Sequence, residues 1–147
     1  MNYLLDTNIL LALLRANEKA ENLASSLDLF SPTNTLIISA VSIGELKSIA
    51  IRNNWGVKRI NEMTILIEKM LVIGINYKTI LDKYAEIDTF SQGKLNGYTT
   101  TTTARNMGKN DLWIAATASV YNLKLLTSDN DFQHLDSIFI ELNHIIL

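Results

Sequence analysis

The chain has 147 residues, with 15 acids, 13 bases, two histidines, one proline and no cysteine. At 48% hydrophobic and 19% charged it can bury a core, which excludes a disordered tail or a small disulfide-stapled scaffold and predicts one domain over 1–147. Without cysteine there is no thiolate chemistry and no cysteine-held metal, and His134 and His144 are too few to hold one without carboxylates.

The longest early apolar run, Ile9 to Leu14, falls far short of the about 20 residues a membrane span needs. No basic segment opens the chain and Asp6 interrupts its first apolar stretch, so neither a signal peptide nor a membrane anchor is expected, and the predicted location is the cytoplasm. The formal charge of −2 does not by itself exclude a nucleic-acid partner, because the placement of the acids matters more than their sum.

In chain order, Tyr3-Leu4-Leu5 reads as a buried strand, with a helix from about Asn8 to Arg15 after it. Ala20, Leu23, Ala24, Leu27 and Phe30 keep helical spacing, until Pro32 and Asn34 break the pattern. Leu36-Ile37-Ile38 is the next strand, and Ser42 is expected to open a helix that reaches about Asn53. Val57, Ile60, Met63, Leu66, Ile67 and Met70 mark a further amphipathic helix, Leu71-Val72-Ile73 a third strand, and Ile80, Tyr84 and Ile87 one face of another helix.

From Gly93 to Lys109 the periodicity fails, and the five threonines Thr99 to Thr103 suggest a long surface loop or lid. The helix that follows Asn110 is apolar almost all round and should be central, with Trp113 in the core or at an interface. Leu125-Leu126 reads as a strand, Asn130 to Leu135 as a short helix and Ile138-Phe139-Ile140 as a closing strand. Strands alternating with helices predict an α/β fold whose mainly parallel sheet of four to five strands is covered on both faces.

Four acids share one kind of position. Asp6 ends the first strand, Glu45 and Asp111 fall in first turns of helices, and Asp129 follows the Leu125-Leu126 strand. In a parallel sheet these places map to the carboxyl edge, where such folds bind ligands. Each acid alone is explained as well by capping: Ser42 to Glu45 has the spacing of a capping box, and Asn110-Asp111 that of a cap with a first-turn acid. Capping gives no reason for the four to converge. If they do, each pair about 4–5 Å apart repels by roughly 4 kcal/mol at an effective dielectric near 20, and a divalent cation is the natural relief. All-oxygen ligands favour magnesium or manganese, whose usual work is to position phosphates and activate water. Setting aside Asp6, Glu45, Asp111, Asp129 and Asp131 leaves 10 acids against 13 bases, a formal +3 that would permit a polyanionic partner.

The run Leu5-Asp6-Thr7-Asn8, the Ser42-Ile43-Gly44-Glu45 segment, Asn110-Asp111-Leu112-Trp113-Ile114-Ala115-Ala116 and Thr127-Ser128-Asp129 occur in that order over nearly the whole chain. Together they resemble the PIN-domain nucleases, in particular the VapC-type toxins of toxin–antitoxin systems. The resemblance implies a three-layer αβα sandwich and a magnesium- or manganese-dependent endoribonuclease that acts on RNA, forms a homodimer and is inhibited by a cognate antitoxin protein. Carried over by motif, Asp6, Glu45 and Asp111 match the core acids and Asp129 the fourth polar site, with Asp131 a rival for that role. Asp6, Asp111 and Asp129 would hold the metal and Glu45 a water. Thr7 and Asn8 would orient the first acid, and Thr127 would supply a hydroxyl beside the site. Arg105 and Lys109 are the candidate RNA contacts, and the helices around Ile9–Leu14 and Val57–Met70 could form a groove for an antitoxin helix. The competing expectation is a catalytically inactive PIN-like protein-binding module. A receiver-type domain fits poorly, because no paired acid follows the first strand.

Overall fold

The computed structural model describes residues 1–98 and 104–147, so the run Thr99 to Thr103 in the expected lid lies outside the described residues. Five strands form one sheet in the order β3-β2-β1-β4-β5: β1 (Asn2–Leu5), β2 (Thr35–Ser39), β3 (Leu71–Ile73), β4 (Lys124–Thr127) and β5 (Glu141–His144). Every pairing is parallel, as the alternation predicted. Among the described residues six α-helices connect them: α1 (Thr7–Arg15), α2 (Glu18–Ser26), α3 (Ala40–Arg52), α4 (Val57–Glu68), α5 (Lys78–Ser91) and α6 (Lys109–Tyr121). A 3-10 helix, Asn130–Leu135, lies between β4 and β5.

The period-two alternation of the strands divides the core. Leu4, Ile37 and Leu125 face a cluster with Ile87 and Phe90 of α5 and Leu112 and Ala115 of α6. Their strand neighbours Tyr3, Leu5, Leu36, Ile38 and Leu126 face the other side, with Ile9, Leu46 and Met63 from α1, α3 and α4. Strands buried on both faces read as continuous apolar runs, and helices must cover both. The result is the expected αβα sandwich. Helix α6 is central as predicted, with Leu112 and the run Ile114 to Ala118 buried. Its left-handed C-cap falls on Asn122 (φ 56°), a residue type that tolerates that conformation. No helix among the described residues is long and apolar enough to cross a membrane.

Three elements depart from the sequence reading. Helix α2 stops at Ser26, because Asp28 turns to positive φ (47°) and Leu29 N–H donates back to the Ala24 carbonyl at 2.9 Å. Helix α3 starts at Ala40 rather than Ser42, capped by the Ser39 hydroxyl, which accepts from Val41 N–H at 3.1 Å. The fifth strand is Glu141–His144, not Ile138–Ile140. The amides of Ile138, Phe139 and Ile140 all donate to the Leu135 carbonyl, at 3.1, 3.0 and 3.3 Å, so the segment turns on itself and makes only an isolated bridge between Asp136 and Ile140. Apolar character there serves packing: Phe139 stacks edge-on to Phe90, with centroids 5.0 Å apart.

β1 lies at the centre, with the chain wound outward to β2 and β3 on one side and to β4 and β5 on the other. Such a reversal opens a crevice at the carboxyl ends of the strands.

Candidate functional site

Asp6 sits one residue past β1, at that crevice, and is 6% exposed. Its Oδ1 accepts from Thr7 N–H at 2.7 Å and its Oδ2 from the Thr127 hydroxyl at 2.7 Å. Thr127 ends β4, beside β1 in the sheet, so parallel pairing delivers its hydroxyl to Asp6. The same hydroxyl oxygen accepts from Asp129 N–H at 3.0 Å, which links the turn after β4 to the end of β1. Asp129 in turn caps the 3-10 helix, its Oδ1 accepting from Asp131 N–H at 2.9 Å. Capping and membership of the cluster therefore coincide at Asp6 and Asp129.

Asp111 lies in the first turn of α6. The cap of that helix is Gly108, which has no side chain to offer, so Asn110 is not the cap the sequence suggested. One carboxylate oxygen each from Asp111, Asp129 and Asp131 fall within 4.8 Å of one another. Glu45 joins from α3 through the Thr7 hydroxyl, which donates to its Oε1 at 3.0 Å. The capping-box reading of Ser42 and Glu45 is corrected here. Ser42 is wholly buried in the first turn of α3, with Glu45 in the second, and its hydroxyl has no hydrogen-bond partner among the described residues.

The electrostatics carry the mark of crowding. Burial, and then the charges of Asp6, Asp129, Asp131 and Glu45, push the Asp111 carboxyl up to about 7. Asp6 is raised by burial above all, with Glu45 and Asp129 adding to the rise and the Thr127 and Thr7 donors opposing it. The three ion pairs among the described residues, Lys78–Asp82, Lys83–Glu86 and Lys124–Glu141, involve none of these acids. A cluster of carboxylate oxygens without a protein cation suits a hard, oxygen-seeking divalent ion.

The supporting residues are partly reassigned. Thr7 holds Asp6 through its backbone N–H, while its hydroxyl serves Glu45 instead. Asn8 does not touch Asp6; its Oδ1 accepts from Ser128 N–H at 3.4 Å and steadies the turn after β4. Arg105 and Lys109 are exposed on the segment entering α6, and Arg105 lines a surface hollow with Gln92, Lys94 and Asn106. Glu45 borders a cleft of about 620 Å³, with Arg52, Ile75, Asn110 and Trp113 among its other walls. Trp113 is half-buried and belongs to neither core cluster; its ring lies tilted against Tyr84, with centroids 4.2 Å apart, and borders this cleft. His134 stands apart from the acids: its Nε2 lies 2.8 Å from the Ser91 hydroxyl and its ring is stacked on Phe90. His144 does not stand apart, and sequence reasoning missed it. Placing the last strand at 138–140 left His144 beyond the sheet, when it is the residue of β5 paired with Thr127.

The family profile described as PIN domain matches residues 3–138. No curated protein matches the chain in sequence. Among solved structures, VapBC2 from Rickettsia felis, bound to a DNA fragment from its promoter, matches with a TM-score of 0.79 and 22% identity, over 99% of this chain and 100% of that one. VapBC-1 from nontypeable Haemophilus influenzae matches at 0.74 and 25% identity, over 98% of each chain. VapC20 from Mycobacterium tuberculosis, described as a sarcin–ricin loop cleaving toxin, matches at 0.63 and 15% identity, over 95% of this chain and 97% of that one.

Proposed function

The chain belongs to the PIN-domain family, and on that premise we propose that it is a magnesium- or manganese-dependent endoribonuclease, the toxin of a toxin–antitoxin pair. The observation that carries this reading is the convergence of Asp111, Asp129 and Asp131 to within 4.8 Å, with Asp6 and Glu45 coupled to them through Thr127 and Thr7. An inactive binding module gives no reason for carboxyls held in mutual repulsion.

Asp6, Asp111 and Asp129 are the residues to hold the cation, and the short distance from Asp131 to the last two supports a share for it. When bound, a divalent ion supplies positive charge against phosphoryl oxygens and makes a water easier to deprotonate. Glu45 is the base: one of its oxygens is tied to Thr7, and the other accepts the proton of the attacking water. Thr127 and Thr7 N–H fix Asp6 against rotation. Arg105 and Lys109 contact the phosphates of the RNA.

Two partner surfaces go with this reading. A hollow of about 290 Å³ between α1 and α4, walled by Leu13, Leu14, Ile65 and Leu66 with Glu62 and Lys69 at its edge, is the groove for an antitoxin helix. A homodimer is supported by the exposed apolar side chains Ile51, Leu71 and Val72. That two of the structural neighbours are VapBC complexes, and that VapC20 is described as cleaving the sarcin–ricin loop, favours an antitoxin partner and an RNA substrate.

Incubation of the purified protein with RNA and Mn²⁺ or Mg²⁺ tests the proposal. Cleavage should need the metal, stop on chelation, and fall below about one hundredth of the parent rate in Asp6→Asn. Metal-independent cleavage, or an Asp6→Asn variant as fast as the parent, overturns it.

A further inference from the structure

The peptide unit that joins Ser128 to Asp129 is held at both ends. Its N–H donates to the Thr127 hydroxyl at 3.0 Å. Its carbonyl, that of Ser128, lies 3.1 Å from Nε2 of His144. A carbonyl can only accept, so Nε2 carries the proton. The unit before it is held too, because Ser128 N–H reaches Asn8 Oδ1 at 3.4 Å. On the strand side, Ile145 N–H donates to the Thr127 carbonyl at 2.8 Å, and His144 pairs with Thr127 in the parallel register of β4 and β5. The half-buried imidazole thus reaches from the edge strand to the turn that carries two acids of the cluster.

We infer that His144 is a positioning residue for the acid site, fixing through the Ser128 carbonyl the peptide plane from which the Asp129 carboxylate projects. The inference rests on the proposed metal site and adds an outer partner to it, on an element that carries none of its acids. Without the imidazole donor, the Ser128–Asp129 peptide keeps only its Thr127 bond and can pivot about it. The Asp129 carboxylate then swings relative to Asp111, and Asp131 moves with it because its N–H bonds to Asp129 Oδ1. Partners of this outer kind commonly change metal affinity by about 10–100-fold.

The test compares the parent with His144→Phe, which keeps a planar ring without a donor, and His144→Gln, which restores an N–H donor. Titration calorimetry with MnCl₂ gives the affinity, and thermal unfolding without metal gives the fold. We expect His144→Phe to bind Mn²⁺ about tenfold more weakly, with His144→Gln close to the parent. Equal affinity in all three variants overturns the inference, as does weakening in His144→Gln equal to that in His144→Phe. If His144→Phe does not fold, His144→Leu takes its place; if neither folds, His144 holds the fold rather than the site, and the inference falls. A parent that binds no Mn²⁺ overturns the metal reading itself, a result distinct from all of these.

Discussion

The Thr7 hydroxyl donates to Glu45 Oε1 at 3.0 Å, across 38 positions of sequence, while the backbone N–H of the same residue holds Asp6. One residue at the mouth of α1 therefore aims two acids, Asp6 at the end of β1 and Glu45 in α3. The two roles are separable, because substitution removes only the hydroxyl. Thr7→Val should lower the rate of RNA cleavage about tenfold, with KM and metal affinity close to the parent, since Asp6 keeps both its donors. Thr7→Ser should recover most of the rate. A Thr7→Val enzyme with unchanged kcat means that Glu45 needs no such aim.

Metal-free stability should fall as the pH rises from 6.5 to 8. Asp111 ordinarily titrates near 3.8 and is pushed up to about 7 in the fold, so between those values the folded chain holds a proton that the unfolded chain has lost. Stability falls with pH wherever the native state binds more protons. The stability that protonated Asp111 allows is thus complete below about pH 4 and is lost as the pH climbs through about 7; Asp6, also raised, acts in the same direction. Below about pH 6.5, His134, held under its ordinary value of 6.5 chiefly by burial, opposes this trend, so unfolding midpoints in chelator should decline from pH 6.5 to 8, and Asp111→Asn should flatten the decline. A midpoint that climbs steadily to pH 8 contradicts the crowding described here.

The cation should reverse that trend. A ligand at 100 times its Kd adds about 2.7 kcal/mol, which in a chain of this length corresponds to a rise in Tm of roughly 5–10 °C. The rise with MnCl₂ should be larger at pH 8 than at pH 5, where protons compete for Asp111 and Asp6. It should vanish in Asp111→Asn. Calorimetric scans at the two pH values measure both effects.

Strands and helices were legible where burial is two-sided. Leu4-Leu5, Ile37-Ile38 and Leu125-Leu126 announce themselves because both faces of a parallel sheet demand apolar side chains. Of the two edge strands, β3 was legible from the apolar run Leu71–Ile73, but β5 was not, since Glu141, Asn143 and His144 carry little strand signal and the apolar triplet before them turns on the Leu135 carbonyl. Asp6, Asp111 and Asp129 were legible from their places at a strand end, in a first turn and in the turn after β4, whereas Glu45, expected in a first turn, stands in the second because α3 opens at Ala40. The hydrogen bonds among them were not, because sequence spacing says nothing about whether the Thr7 hydroxyl turns to the acid beside it or to one 38 residues away. His144 was hidden for the same reason that its strand was.

The two serines that open α3 separate local from tertiary logic. A capping box would make Ser42 the cap, and its loss would cost about 1 kcal/mol. In the fold Ser39 is the cap, accepting from Val41 N–H, while the Ser42 hydroxyl is buried without a partner. An unsatisfied buried hydroxyl costs about 1–3 kcal/mol, so its removal relieves a penalty instead of breaking a bond. Ser39→Ala should therefore lower stability in urea by about 1 kcal/mol, and Ser42→Ala should leave it unchanged or raise it. The opposite ranking would return the cap to Ser42 and move the start of α3, and with it the turn on which Glu45 stands.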